Sequence, residues 1–231
     1  VAGAAFTEWD HRKHVIPTAD IPTDAVVWRS LDWGYTEPFA CGWLFMDPRN
    51  DDVILGRELY GYGGEPNVGS KEDATLVREK ILSKQLIEHI VCPTGYVDGG
   101  TMDRRGSGDT IFAQLGGKAM GWKPWPKGPG SRVNQKQMLH GLMKVVNGKS
   151  RFKIMECCHH AIRTLPAIPT DPKNPEDVDT HAEDHMYDMI RGGIAGQKIM
   201  TKSERDHRDL IVRMSRMEQQ VSVGQMRYGG S

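Results

Sequence analysis

The sequence predicts an α/β domain built on a mixed β-sheet flanked by helices. Two observations carry this. Three apolar runs rich in β-branched and aromatic residues, at 26–33, 39–46 and 53–60, follow one another with only short turn-rich separators. Beyond them, further short apolar runs alternate with stretches of helical periodicity. Successive strands joined by short turns form an antiparallel meander, and strands alternating with helices add parallel pairs.

Residues 1–25 read as an irregular lead-in segment, with Phe6 and Trp9 as apolar anchors and Pro17 and Pro22 breaking regularity. The first strand, 26–33, ends in Asp32, Trp33 and Gly34. A carboxylate at the end of a buried strand is costly unless something binds it; taken alone, Asp32 beside Gly34 is also a turn former. Separators 34–38 and 47–52 divide the meander. Ser70, with Asp73 three residues on, opens a helix to about His89, its apolar face made by Leu76, Val77, Ile81, Leu82, Leu86 and Ile87. Tyr96 and Val97 then lead into Asp98-Gly99-Gly100, a second strand ending in Asp-Gly.

A helix at 109–115 and a strand near 120–123 precede the Pro/Gly-rich loop 124–130. Ser131 can cap a helix through Val146 with a stripe of Met138, Leu139, Leu142, Met143 and Val146. A strand at 151–155, a helix at 157–165 and a Pro- and Asp-rich loop at 166–180 follow. The last helix is expected from Thr180 to the Gly192-Gly193 pair. The domain organisation is thus a lead-in at 1–25, a folded domain at 26–196 and a flexible or partly helical tail at 197–231.

Among the 231 residues, 30 Lys and Arg balance 30 Asp and Glu, so no global basic field advertises a polyanionic partner. No apolar stretch approaches the roughly 18 residues that span a bilayer, so no membrane is expected and the chain reads as cytosolic. Cys41, Cys92, Cys157 and Cys158 lack disulfide-framework spacing, which suits a reducing compartment. The first residue is Val rather than Met, as expected of a piece of a longer protein.

Three acidic positions stand out: Asp32 and Asp98 at strand ends, and the cluster Glu183 to Asp188 on the final helix, which includes Asp184, His185 and Asp188. Asp184 and Asp188 are four residues apart on one helical face and repel unless a cation sits between them. Carboxylates brought together from two strands and a helix make an oxygen-rich site for hard cations such as Mg²⁺ or Mn²⁺. Chance clustering among so many acidic residues is the competing account. Arg104, Arg105, Lys118, Lys123, Lys127, Arg132 and Lys136 concentrate mid-chain, either as a solvated surface or as DNA-binding phosphate contacts, with Arg104, Arg105, Lys127, Arg132 and Lys136 the favoured set. Cys157-Cys158-His159-His160 lacks the spaced pairs of a zinc site and suits an amphipathic helix better. Gly64 to Lys71 imitates a phosphate loop but places Ser70 before Lys71, the wrong order, and is rejected.

The stretches Arg29 to Phe39, Tyr96 to Gly100 and Ala182 to Arg191 together resemble the three nuclease motifs of bacteriophage terminase large subunits, in matching order. The resemblance implies a ribonuclease H-like fold and a metal-dependent endonuclease that cuts concatemeric viral DNA during packaging, through two-metal-ion (Mg²⁺ or Mn²⁺) phosphodiester hydrolysis. It implies that Asp32 bridges two ions, Asp98 ligates one and Asp188 the other, with Asp184 auxiliary and His185 in the catalytic site. Double-stranded DNA, a portal protein and the ATPase domain of a full-length subunit are the implied partners, in the host cytoplasm. This chain itself is expected to hydrolyse no ATP. The alternatives are another ribonuclease H-like nuclease, such as a junction resolvase or RNA–DNA hybrid hydrolase, or a non-catalytic portal-docking module.

Overall fold

The computed structural model describes residues 3–34, 37–61, 74–103, 108–197 and 199. The chain divides into units of residues 1–197 and 198–231, and every strand and helix named here belongs to the first. The strands are β1 (Val15–Ile16), β2 (Val26–Asp32), β3 (Phe39–Met46), β4 (Val53–Gly61), β5 (Thr94–Val97), β6 (Trp122–Pro124) and β7 (Phe152–Met155). The helices are α1 (His11–His14), α2 (Ala74–Ile87), α3 (Ile111–Gln114), α4 (Ser131–Met143), α5 (His159–Thr164) and α6 (His185–Gln197). Among the described residues the strands form one mixed sheet in the order β1-β7-β4-β3-β2-β5-β6. β2, β3 and β4 are the antiparallel meander, while β5 pairs parallel to β2, β6 to β5, β7 to β4 and β1 to β7.

The central strand β3 is buried on both faces, which is why it reads as a continuous apolar run. Phe39, Cys41 and Trp43 form one cluster with Ala74, Val77 and Ile81 of α2. On the opposite face Gly42 lies against Met189 of α6. The sheet is therefore covered by α2 on one side and α6 on the other. Arg29 of β2 is buried beneath α2; it donates to the Cys92 carbonyl at 2.9 Å and to Gln85 at 3.2 Å, and lies over the Trp122 ring.

Several elements differ from the sequence-based expectation. The lead-in is not wholly irregular, because β1 extends the sheet along β7, with the Glu156 amide donating to the Ile16 carbonyl at 2.9 Å. The expected start of α2 and the Gly64 to Lys71 stretch lie outside the described residues. Only Ala74, Val77 and Ile81 of α2 are buried, whereas Leu86 and Ile87 are 77% and 71% exposed. The apolar face is thus a single stripe, narrower than the leucine count suggests. Gly130, in a left-handed conformation at φ 72°, occupies the position before α4, so Ser131 is the first helical residue rather than the cap.

The largest correction concerns α6. It begins at His185, not Thr180, and continues through Gly192 and Gly193 to Gln197. A side chain on Gly192 would meet the Trp125 ring at 2.0 Å, one on Gly193 would meet Ser30 at 2.8 Å, and one on Gly196 would meet Tyr96 at 2.4 Å. The glycines are interior contact points that let the helix lie directly on β2 and β5, rather than a helix stop. Among the described residues no helix is long and apolar enough to cross a membrane.

Candidate active site

The site forms where the C-terminal ends of two neighbouring strands meet the N-terminal turn of α6. Leu31 of β2 and Val97 of β5 are register partners in the parallel pair, so the residues that follow them, Asp32 and Asp98, emerge side by side. Asp98 precedes the 3-10 turn Gly99–Met102, and its Oδ1 accepts from the Gly100 amide at 2.6 Å and from Lys127 Nζ at 2.7 Å. His185, the first residue of α6, donates from Nδ1 to Oδ2 of Asp32 at 3.3 Å.

Burial raises the Asp32 pKa, and the charges of Asp188 and Asp98 push it the same way, against the hydrogen bond from His185. That hydrogen bond raises the His185 pKa in turn and outweighs the burial of the ring. Asp184 stands immediately before α6, where its carbonyl accepts from the Asp188 amide at 2.8 Å. Its carboxyl is pushed up to about 6, first by burial and then by the charge of Asp188, with Arg132 opposing. Asp32, Asp98, Asp184, His185 and Asp188, expected from sequence, are therefore electrostatic neighbours.

The cations among them are the part the sequence did not reveal. Arg132, on the first turn of α4, donates from Nε to both oxygens of Asp177 at 3.0 and 2.8 Å, from Nη1 to Asp188 at 3.1 Å and from Nη2 to Asp184 at 3.2 Å. Arg191 donates from Nε to the other oxygen of Asp188 at 2.8 Å. Asp98, Asp177, Asp184 and Asp188 thus each meet a lysine or arginine and Asp32 meets His185, and among the described residues no three His, Cys, Asp or Glu side chains are grouped so as to hold one ion as they stand. The donor set nevertheless fits a divalent cation chemically: carboxylate oxygens dominate, the charges of neighbouring carboxylates raise the pKa of Asp32 and of Asp184, and basic side chains now supply balancing charge.

The mid-chain basic residues have different destinations. Lys127 is exposed beside Asp98. Arg132 is turned inward, and Lys136 is buried with its ammonium 3.1 Å from the Asp177 carbonyl, so neither offers a free surface cation for phosphate. Arg104 and Arg105 lie outside the described residues. Asp177 was visible in the sequence as the start of the run 177–180 ahead of the last helix, with nothing to mark it as the partner of Arg132.

Beside His185 opens a polar cavity of about 450 Å³, lined in part by Glu37, Tyr60, His160, Arg163 and Glu183. Glu183 accepts from Arg163 at 2.7 Å and from the Tyr60 hydroxyl at 2.6 Å. The Arg163 hydrogen bond is the main cause that brings its pKa down to about 2. This pair anchors the loop that delivers Asp184 and His185.

No protein-family model matches the sequence, and no curated protein matches it. Solved structures do. The nuclease domain of the phage P22 large terminase is 18% identical, with a TM-score of 0.61 over 85% of this chain and 93% of that one. The large terminase of a thermophilic bacteriophage, solved with ATP-gamma-S, is 17% identical at a TM-score of 0.66, covering 84% of this chain and 45% of that one. This chain therefore spans just under half of the thermophilic-phage protein. The g2p nuclease domain of bacteriophage SPP1, solved with bound Mn, is 15% identical at a TM-score of 0.52, covering 78% and 94%. With a meander extended by parallel strands and helices on both faces, the chain has the ribonuclease H-like fold of phage large-terminase nuclease domains.

Proposed function

We propose that this chain is the nuclease part of a phage packaging terminase, a metal-dependent endonuclease that cuts double-stranded viral DNA in the host cytoplasm. The observation that carries the proposal is the convergence of Asp32, Asp98, Asp184 and Asp188 at the C-terminal ends of β2 and β5, on a fold shared with terminase nuclease domains. The SPP1 domain, which holds Mn, supports the choice of a divalent ion. The greater length of the thermophilic-phage terminase, solved with ATP-gamma-S, supports an ATPase portion elsewhere in a full-length subunit, and a portal protein is the docking partner in this reading.

Asp32 would be shared by two Mg²⁺ or Mn²⁺ ions, with Asp98 on one, Asp188 on the other and Asp184 in support. Such ions supply positive charge to neutralise a phosphodiester and to acidify water at neutral pH. The protein's own contribution is positional. His185 keeps a proton at Nδ1 directed at Asp32 Oδ2, which orients that carboxylate. The Gly100 amide fixes Asp98 in the same way, through Oδ1. Lys127, exposed and tethered near Asp98, is the described cation best placed to meet a backbone phosphate, and its contact would be sequence-independent and salt-sensitive.

The test is cleavage of supercoiled plasmid with Mn²⁺ or Mg²⁺, by the chain and by Asp32→Ala. Metal-dependent nicking and linearisation, lost in the variant, is expected. Cutting that survives the substitution would refute the site. A preference for RNA–DNA hybrid would replace the substrate, and no cutting with any divalent ion, together with portal binding, would replace the enzyme by a docking module.

A further inference from the structure

We infer that Arg132 is the resident counter-ion of the carboxylate cluster, and that a divalent cation loads by taking from it the Oδ2 oxygen of Asp188. This rests on the proposed metal site. Both Asp188 oxygens are engaged: Oδ1 by Arg191 Nε at 2.8 Å and Oδ2 by Arg132 Nη1 at 3.1 Å. For Asp188 to become a ligand, one arginine has to let go.

The two arginines are not equivalent. Arg191 is buried on the same helix, three residues along, and its Nη1 donates to the Gln135 side chain. Gln135 is itself fixed by donating to the Pro126 carbonyl at 2.8 Å. Arg132 keeps 27% of its side chain exposed and hangs from Asp177 through Nε. Its bonds to Asp188 and Asp184, at 3.1 and 3.2 Å, are the longest of its set. Releasing them leaves the Asp177 pair intact, so Arg132 can withdraw on a tether, whereas Arg191 cannot leave without breaking a buried network.

A divalent ion brings twice the charge of the guanidinium to the same oxygens and prefers carboxylate ligands. In the metal-free protein Arg132 therefore does two opposed things: it neutralises Asp184 and Asp188, and it competes with the ion that would replace it. Removing it should move metal-free stability and metal affinity in opposite directions, which a merely structural arginine would not do.

The experiment measures Mn²⁺ binding by titration calorimetry, and thermal unfolding with and without Mn²⁺, for the unsubstituted chain, Arg132→Gln and Asp32→Asn. Arg132→Gln is expected to melt lower without metal, to bind Mn²⁺ about tenfold more tightly, the scale of one partly screened charge at a few ångströms, and to gain more melting temperature from the ion. Equal or weaker Mn²⁺ binding by Arg132→Gln, with binding abolished in Asp32→Asn, overturns the inference and leaves the site standing. Mn²⁺ binding that persists unchanged in Asp32→Asn removes the site itself. Should Arg132→Gln not fold, nitrogen-15 spectra of the unsubstituted chain decide: with Mg²⁺ the Arg132 Nη protons should exchange faster while its Nε–H stays protected, and unchanged Nη exchange at saturating Mg²⁺ overturns the inference.

Discussion

His185 Nδ1 stands 3.3 Å from Oδ2 of Asp32 and joins the start of α6 to the end of β2. The pairing raises the His185 pKa above its ordinary 6.5. Stability from such a group is fully present below the unfolded pKa and is lost as pH rises through the folded one. In chelated buffer, His185→Gln should therefore destabilise the protein by about 1 kcal/mol near pH 6 and by less near pH 9. Denaturant unfolding at the two pH values measures this; an equal loss at both would show that the imidazolium does not support the fold.

Asp32 behaves in the opposite sense with respect to charge. Burial, Asp188 and Asp98 all disfavour its ionised form. Asp32→Asn should lower cleavage by at least about 10³-fold, as loss of a residue acting within a catalytic unit does. In the absence of metal its melting temperature should stay level or rise, because carboxylate repulsion is relieved. A marked fall in that temperature would mean that the His185 contact outweighs the repulsion.

Two glycines give a matched comparison. A methyl group on Gly192 would strike the Trp125 ring at 2.0 Å, while one on Gly141 of α4 meets nothing within 4 Å. Gly192→Ala should cost about 1–3 kcal/mol through overpacking and lower cleavage as α6 lifts. Gly141→Ala should stabilise by about 0.5–1 kcal/mol as a helix-interior replacement. Chemical denaturation of both variants would show whether close approach, rather than helix propensity, governs Gly192.

Glu88 tests the acid limb of stability. Burial works against its charge, but hydrogen bonds from Lys84 and Arg57 prevail and hold its pKa below 4.5. The stability it contributes is present above its unfolded pKa and is lost as pH falls through the lower folded value. Glu88→Gln should cost about 0.5–1 kcal/mol at pH 7, as a partly exposed pair does, and the gap should close in acid, which urea midpoints across pH would reveal.

Much of this architecture could be read from residue patterns because the deciding forces were local. The bounds of β3 follow from a run of apolar residues closed by Pro38 and Asp47-Pro48. Asp32 and Asp98 declared themselves by sitting at the ends of such runs. What escaped was decided by contacts distant in sequence. Gly192-Gly193 carries the local signature of a helix end, and only the Trp125 ring and Ser30 turn it into a packing surface. Arg132 looked like a surface cation because nothing nearby in the chain explains it; its partners, Asp177, Asp184 and Asp188, lie 45 to 56 residues away. The two strand residues of β1 depend wholly on β7 for their pairing.

The in-register pairing of β2 with β5 has a consequence for the newly made protein. Asp32 and Asp98 can be set side by side once about the first hundred residues have left the ribosome and paired, since both ride on one backbone ladder. His185 and Asp188 arrive only with α6, the last helix among the described residues. A nascent chain thus displays two carboxylates lacking their histidine, their helix partners and the cations that balance them. On the proposed reading, the capacity to hold an ion would be withheld until α6 is made, and a chain truncated before it should cut no DNA however well its sheet has formed.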